Sequence, residues 1–137
     1  MATDAGALVL VVEDYPANLQ LARALLRRAG HRVAEAGSLR QAREVLETAR
    51  PDLVLLDLGL PDGDGLELLA HLGGIPTLAV SAYAMPEDRA RALAGGCVGF
   101  VTKPLNTRTF AAAVADALGR TDLTGEGGNA VGPRAAH

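Results

Sequence analysis

Short apolar runs and helical patterns alternate along the chain. Residues 8–12 form a continuous apolar run, LVLVV, that stops at Glu13-Asp14. Residues 16–29 carry Leu19, Ala22, Leu25, Leu26 and Ala29 at helical spacing. Pro16 suits the first turn of that helix, where its missing N–H costs nothing, and Gly30 is placed to stop it. Residues 32–36 predict a short strand. Ser38 opens the next helix, with Gln41 three residues on as a capping box. Leu39, Ala42, Val45, Leu46 and Ala49 make its apolar face, and Pro51 lies just beyond its end. Residues 53–56 are the most apolar run and end at Asp57. A strand without alternation must be covered on both faces, which predicts a central place in a parallel sheet. A loop over 59–63, a short helix from about 64 to 71 and a strand over 77–80 that ends at Ser81 come next. A helix over 86–94 is stopped by Gly95-Gly96. A strand over 99–102 runs into Lys103-Pro104, and a last helix covers 106–118.

Five strand–helix units in succession predict an α/β fold. Its five-stranded parallel sheet is covered by helices on both faces, wound by right-handed crossovers. The domain is expected over residues 7–119, after an extension at 1–6 and before a flexible tail at 120–137 rich in Thr, Gly, Asn and Pro.

Composition narrows the field. At 137 residues the chain is one domain's worth, and 49% hydrophobic residues exclude disorder throughout. With aromatics at only 3%, the core must be built from Leu, Val and Ala. The longest apolar stretches fall far short of the roughly 18 residues a spanning helix needs, so no membrane association is expected. The net charge of −3 comes without a basic patch or stripe, which argues against a nucleic-acid partner. The N-terminal MATDAG has no basic or apolar leader segment. The single cysteine, Cys97, excludes an internal disulfide and a Cys-rich zinc site, so a reducing cytoplasmic setting is expected.

The notable polar residues all lie where a strand ends. Glu13 and Asp14 follow the first, Asp57 the third, Ser81 the fourth and Lys103 the fifth. In open α/β sheets ligands bind outside the carboxyl ends of the strands, where strand order reverses, so these five residues should converge on one pocket. Three carboxylates packed together repel one another. A hard divalent cation balances them, and Mg²⁺ typically takes one or two carboxylates and keeps waters for a phosphate. With Lys103 as a mobile positive charge and the Ser81 hydroxyl, the set describes a phosphoryl site in which Asp57 is the nucleophile.

The segments VVEDYPANL, LLDLGLPDGDGLE, AVSAYAMPED and GFVTKPLN, in that order and at that spacing, resemble the receiver domains of two-component response regulators. The resemblance covers about residues 8–118. It implies the flavodoxin-like strand order 2-1-3-4-5 and a phosphoryl group accepted by Asp57 from a sensor histidine kinase or a histidine phosphotransfer protein. It also implies Mg²⁺ held by Asp14, Asp57 and the Gly59 carbonyl, with Glu13 contributing partly through water. Ser81, Ala82 and Lys103 would bind the phosphoryl oxygens, and the Lys103–Pro104 peptide would be cis. Gly59 and Tyr83 would line the path of the hydrolytic water and tune dephosphorylation. Phe100 stands where the family has its signalling aromatic, although core packing alone also accounts for it. Output would pass to a protein partner through the 86–118 face, or to a second copy of the chain, because the tail is too short for a DNA-binding unit. In the last helix Phe110, Val114 and Leu118 fit a buried stripe, with Ala111, Ala112 and Ala115 nearer the surface.

On this reading the chain is a switch rather than an enzyme, promoting only its own phosphorylation and dephosphorylation. An aspartyl phosphatase resembling the haloacid dehalogenases would need a second Asp two residues after the nucleophile, where this chain has Gly59. The alternative is a receiver-like interaction module that works without phosphorylation. Asp62-Gly63-Asp64-Gly65 lacks the ligand spacing of a calcium loop and predicts a turn and helix start. Cys97 is expected as an apolar filler, and His31, His71 and His137 as solvated side chains.

Overall fold

The computed structural model describes residues 6–82 and 85–123. The expected extension, apart from Gly6, the tail beyond 123 and Tyr83 lie outside them. Strands β1 (Leu8–Val12), β2 (Arg32–Ala36), β3 (Leu53–Asp57), β4 (Thr77–Ser81) and β5 (Gly99–Thr102) alternate with helices α1 (Pro16–Arg28), α2 (Leu39–Thr48), a 3-10 helix (Gly65–His71), α3 (Pro86–Ala94) and α4 (Thr107–Leu123). All strand pairs are parallel and the sheet order is β2-β1-β3-β4-β5, the expected order.

The absence of alternation in the strands has its reason in two cores. Val9, Val11, Leu53, Leu55, Leu78 and Val80 face α1 and α4, where Leu26, Phe110, Val114 and Ala117 are buried. Leu10, Val12, Val54 and Leu56 face the other way, onto Leu39 and Ala42 of α2 and Leu68 of the 3-10 helix. Successive residues of a strand point to opposite faces, so a sheet covered on both sides needs apolar residues at every position. In the expected stripe of α4, Phe110 and Val114 are buried and Leu118 is half-buried at its end, while Ala111, Ala112 and Ala115 are exposed. Cys97 is buried in a third, smaller cluster with Ala79 and Ala92. Burial pushes its thiol up to about 11, which leaves it unreactive.

Helix ends follow local chemistry, with several departures from the expected pattern. Gly30 (φ 94°) and Gly96 (φ 112°) take up the left-handed backbone that follows α1 and α3. The Ser38 side chain accepts the Gln41 N–H at 3.1 Å, but the Gln41 Oε1 reaches one residue further back, to the Gly37 N–H at 2.7 Å. The segment 65–71 closes as a 3-10 helix, capped by Asp64, whose carboxylate accepts the Leu66 N–H at 3.0 Å. Asn106 lies outside α4 and caps it, its Oδ1 accepting from Arg108 and Thr109 at 3.0 and 3.2 Å. The helix does not stop at Leu118. Gly119 lacks the positive φ of a helix stop, and no proline follows it closely, so the helix runs through it to Leu123. His31 is half-buried rather than solvated, its Nδ1 accepting the Ala7 N–H at 3.1 Å.

The sequence gives no sign of one cap. Asp62, in the loop after β3, accepts the Leu39 and Arg40 N–H groups at 2.9 and 3.1 Å, and so ties that loop to the start of α2. The Leu39 N–H, and after it the Arg40 N–H, hold the Asp62 carboxyl below its ordinary value, against the opposing effect of burial. A depressed carboxyl contributes stability above its unfolded pKa and loses it as pH falls through the folded one. Asp62→Ala should therefore lower the melting temperature at neutral pH, and the gap to wild type should close as the pH drops well below 3.8. A gap that does not depend on pH in thermal melts would show that the carboxylate is not what caps α2.

Candidate functional site

Four strand ends build one pocket. Glu13 follows β1, and its N–H still bonds the Ala36 carbonyl of β2 at 2.9 Å, which fixes where its side chain leaves the sheet. Asp57 is the last residue of β3. Beyond it the Leu58 N–H donates to the Val80 carbonyl at 3.0 Å, so the strand is held to its very end. Lys103 follows β5, its N–H donating to the Ser81 carbonyl at 2.9 Å, and its peptide with Pro104 is cis. Ser81 ends β4, paired in register with Thr102, and is buried; Ala82 follows it, exposed.

Glu13 and Asp57 are each only 5% exposed. The Lys103 Nζ lies 3.1 Å from Glu13 Oε1 and 3.1 Å from Asp57 Oδ2, an ammonium bridging two carboxylates across 90 and 46 residues of chain. The Gly59 N–H donates to Asp57 Oδ1 at 3.0 Å, and the Tyr15 N–H to Glu13 Oε2 at 3.1 Å. Asp14 is exposed at the rim, and Glu13, Asp14 and Asp57 each offer an oxygen within 4.8 Å of the others. Burial pushes the Glu13 carboxyl up, with the Asp57 charge adding to it. The Tyr15 N–H and Lys103 offset this in part. Burial by itself would lower Lys103, but its bonds to Glu13 and Asp57 outweigh that and lift it, so the ammonium stays charged. Behind the carboxylates is a cavity of about 20 Å³, room for one water, bounded by Glu13, Asn18, Asp57, Lys103, Leu105 and Phe110 among others.

Five residues singled out from the sequence thus meet here, counting Ser81 at the adjoining strand end. Glu13 is engaged directly by Lys103 and the Tyr15 N–H. Gly59 is exposed beside Asp57, and a Cβ built on it would sit 3.8 Å from Asp57 Oδ1. Phe100 is half-buried against the Ala79, Ala92 and Cys97 cluster, and the Arg89 guanidinium of α3 lies 4.9 Å from its ring centroid. That stacking was not anticipated, nor was the ion pair between Asp64 and Arg91 that ties the loop after β3 to α3. An Arg at helical spacing looks like a solvated residue until the neighbouring strand is placed beside it.

Oxygen donors of this kind suit a hard divalent cation, and the ammonium that now bridges them is free to move to an incoming anion. No helix among the described residues is long and apolar enough to cross a membrane.

A family model described as the response regulator receiver domain matches residues 9–115. The polar-differentiation response regulator DivK of Brucella anthropi is 33% identical over 117 residues, which cover 81% of this chain and 95% of DivK. The KDP operon transcriptional regulatory protein KdpE of Escherichia coli is 37% identical over 119 residues, 85% of this chain but 53% of KdpE. Among solved structures, a CheY-like receiver domain protein from Methanospirillum hungatei superposes with a TM-score of 0.79 at 27% identity, covering 89% of this chain and 99% of that one. NtrX from Brucella abortus gives 0.83 at 27% identity, over 88% of this chain and 29% of NtrX.

Proposed function

Since the chain belongs to the response regulator receiver domain family, we propose that it is a phosphorylation-dependent switch in which Asp57 is the phosphoryl acceptor. The observation that supports this reading most is the bridging of Glu13 and Asp57 by Lys103 at 3.1 Å, beside a third carboxylate at the pocket rim. The donor is a phosphohistidine of a sensor kinase or of a histidine phosphotransfer protein. An Asp57 oxygen attacks its phosphorus in line, the P–N bond breaks and the imidazole leaves. Lys103 turns from bridging the carboxylates to a phosphoryl oxygen, and the Ser81 hydroxyl and Ala82 N–H donate to another. The three carboxylate oxygens fit Mg²⁺, which would be held by Asp14, Asp57 and the Gly59 carbonyl. Bound there, it supplies the positive charge that offsets carboxylates and phosphoryl group together. Gly59 has no side chain to block a hydrolytic water beside Asp57, and the family pattern assigns Tyr83 the matching role in tuning dephosphorylation.

The chain's own residues indicate how each ligand ranks. Glu13 is already taken up by Lys103 and the Tyr15 N–H, whereas Asp14 is exposed. Titration should give a millimolar Mg²⁺ affinity, roughly 4 kcal/mol. Asp14→Ala should weaken it by at least about tenfold, and Glu13→Ala by less. Equal affinity in all three proteins would remove Asp14 as a ligand.

Output would run through the face made by α3, β5 and α4, toward a protein partner or a second copy of the chain. Phosphoryl contact draws Ser81 inward and Phe100 follows, a local event that selects between two packed states. A coupling of about 1–3 kcal/mol is the usual scale. The test of the whole reading is exposure to phosphoramidate with Mg²⁺ and then to beryllofluoride. The expected results are a mass gain of one phosphoryl group that EDTA prevents, and amide shifts that reach Phe100 and α4. No mass gain would favour an interaction module that is never phosphorylated. Shifts confined to the pocket would show that output lies elsewhere.

A further inference from the structure

Gly65, the first residue of the 3-10 helix, is buried against the strand that carries Asp57. A Cβ built on it would lie 2.7 Å from the Asp57 carbonyl oxygen and 3.2 Å from the Leu58 Cα. Both are backbone atoms, so neither can turn aside as a side chain would. The φ of Gly65 is not positive, so an alanine could adopt its backbone conformation. What the position demands is room, not conformational freedom.

Neither side of the contact can retreat. Asp57 is paired in register with Val80, and the next N–H, of Leu58, donates to the Val80 carbonyl at 3.0 Å. Behind Gly65, Asp64 accepts the Leu66 N–H at 3.0 Å and pairs with Arg91 of α3, while Leu68 is wholly buried. A methyl group at 65 must therefore move the peptide between Asp57 and Leu58. That shift alters the Gly59 N–H bond to Asp57 Oδ1 and the 3.1 Å contact with Lys103.

We propose that Gly65 is a positioning residue for the phosphoryl acceptor. Its bare Cα lets the 3-10 helix press directly on the Asp57 carbonyl and sets the direction of the carboxylate. This rests on the reading of Asp57 as acceptor.

The test compares Gly65→Ala with Gly95→Ala. A Cβ at 95 crowds the Leu69 side chain at 2.9 Å, with no contact to Asp57. Three quantities are measured in wild type and both variants: melting temperature, the amide shift of Gly59, and the rate of phosphoryl uptake from phosphoramidate with Mg²⁺. Gly65→Ala should slow uptake by about 10- to 100-fold and move the Gly59 amide. Gly95→Ala should do neither at comparable loss of melting temperature. Wild-type uptake and an unmoved Gly59 amide in Gly65→Ala would overturn the proposal.

If the wild type itself takes up no phosphoryl group, the acceptor reading fails. The Gly59 amide then decides the positioning claim by itself: moved in Gly65→Ala alone it stands, unmoved it falls. Should Gly65→Ala not fold, Arg91→Ala, a surface change that releases the 3-10 helix start from α3, decides by the same readouts. It should move the Gly59 amide and slow uptake by about two- to fivefold, and no change in either would overturn the proposal.

Discussion

Asp57→Asn is expected to abolish phosphoryl uptake altogether, the largest effect of any single substitution in this chain. The amide keeps the size and shape of the carboxylate at the end of a fully buried strand, and it can still accept the Gly59 N–H at Oδ1. It cannot act as the nucleophile. It also lacks the charge that Lys103 meets at 3.1 Å, so the ammonium should settle on Glu13 alone. The fold should survive, because removing one of two like charges in a buried site relieves repulsion as well as losing an ion pair. Intact mass after treatment with phosphoramidate and Mg²⁺ reads the result. Wild type should gain one phosphoryl group, lost again with hydroxylamine, and the variant should gain none. Full uptake by Asp57→Asn would assign the acceptor to another residue.

Lys103→Met should have the largest effect on the unliganded fold. Methionine keeps much of the apolar stem while removing the ammonium, so the packing of the stem is largely preserved. Glu13 and Asp57 are then left buried beside each other with no counter-charge; the side chains of all three are at most 16% exposed. Removing one partner of a buried pair costs about 3–5 kcal/mol, and because this site opens to solvent on one side the lower end applies, ~3 kcal/mol. For a domain of this size that is a fall of about 10 °C in melting temperature. Added Mg²⁺ should narrow the gap, since it binds only the folded carboxylates and no longer competes with an ammonium. Phosphoryl uptake should fall by about 10²- to 10³-fold through loss of a donor to the phosphoryl oxygens. A melting temperature equal to wild type, with the same response to Mg²⁺, would show that Lys103 does not balance the carboxylates.

Much of the site was legible before any coordinate. Four of the five strand ends could be located because apolar runs stop abruptly at polar residues: LVLVV at Glu13, LVLL at Asp57, TLAV at Ser81 and GFVT at Lys103. A continuous apolar run also carries its own burial, since a strand with no polar face has no side to give to water, and β3 and β4 are buried at every position. Less legible were the contacts whose partners are distant in the chain and chemically ordinary. Asp62 reads as a turn residue from its neighbours, and its cap on α2 exists only once the fold brings Leu39, 23 positions earlier, to it. Arg89 and Arg91 read as the solvated face of a short helix, yet one lies over Phe100 and the other pairs with Asp64.

Strand positions, their parallel arrangement and the residues at their ends were determined by the sequence alone, because each follows from side chains within a few positions of one another. Turn residues, helix periodicity and runs of Leu and Val act locally, and the right-handed crossover leaves few ways to connect them. Tertiary structure decided the rest: that Lys103 bridges Glu13 and Asp57 at once, that Asp14 remains exposed while Glu13 is buried, and that Gly65 abuts the Asp57 carbonyl. Those are matters of an ångström or less. They are set by how two packed cores seat the sheet against α4 and the 3-10 helix, and no spacing along the chain encodes a distance across it.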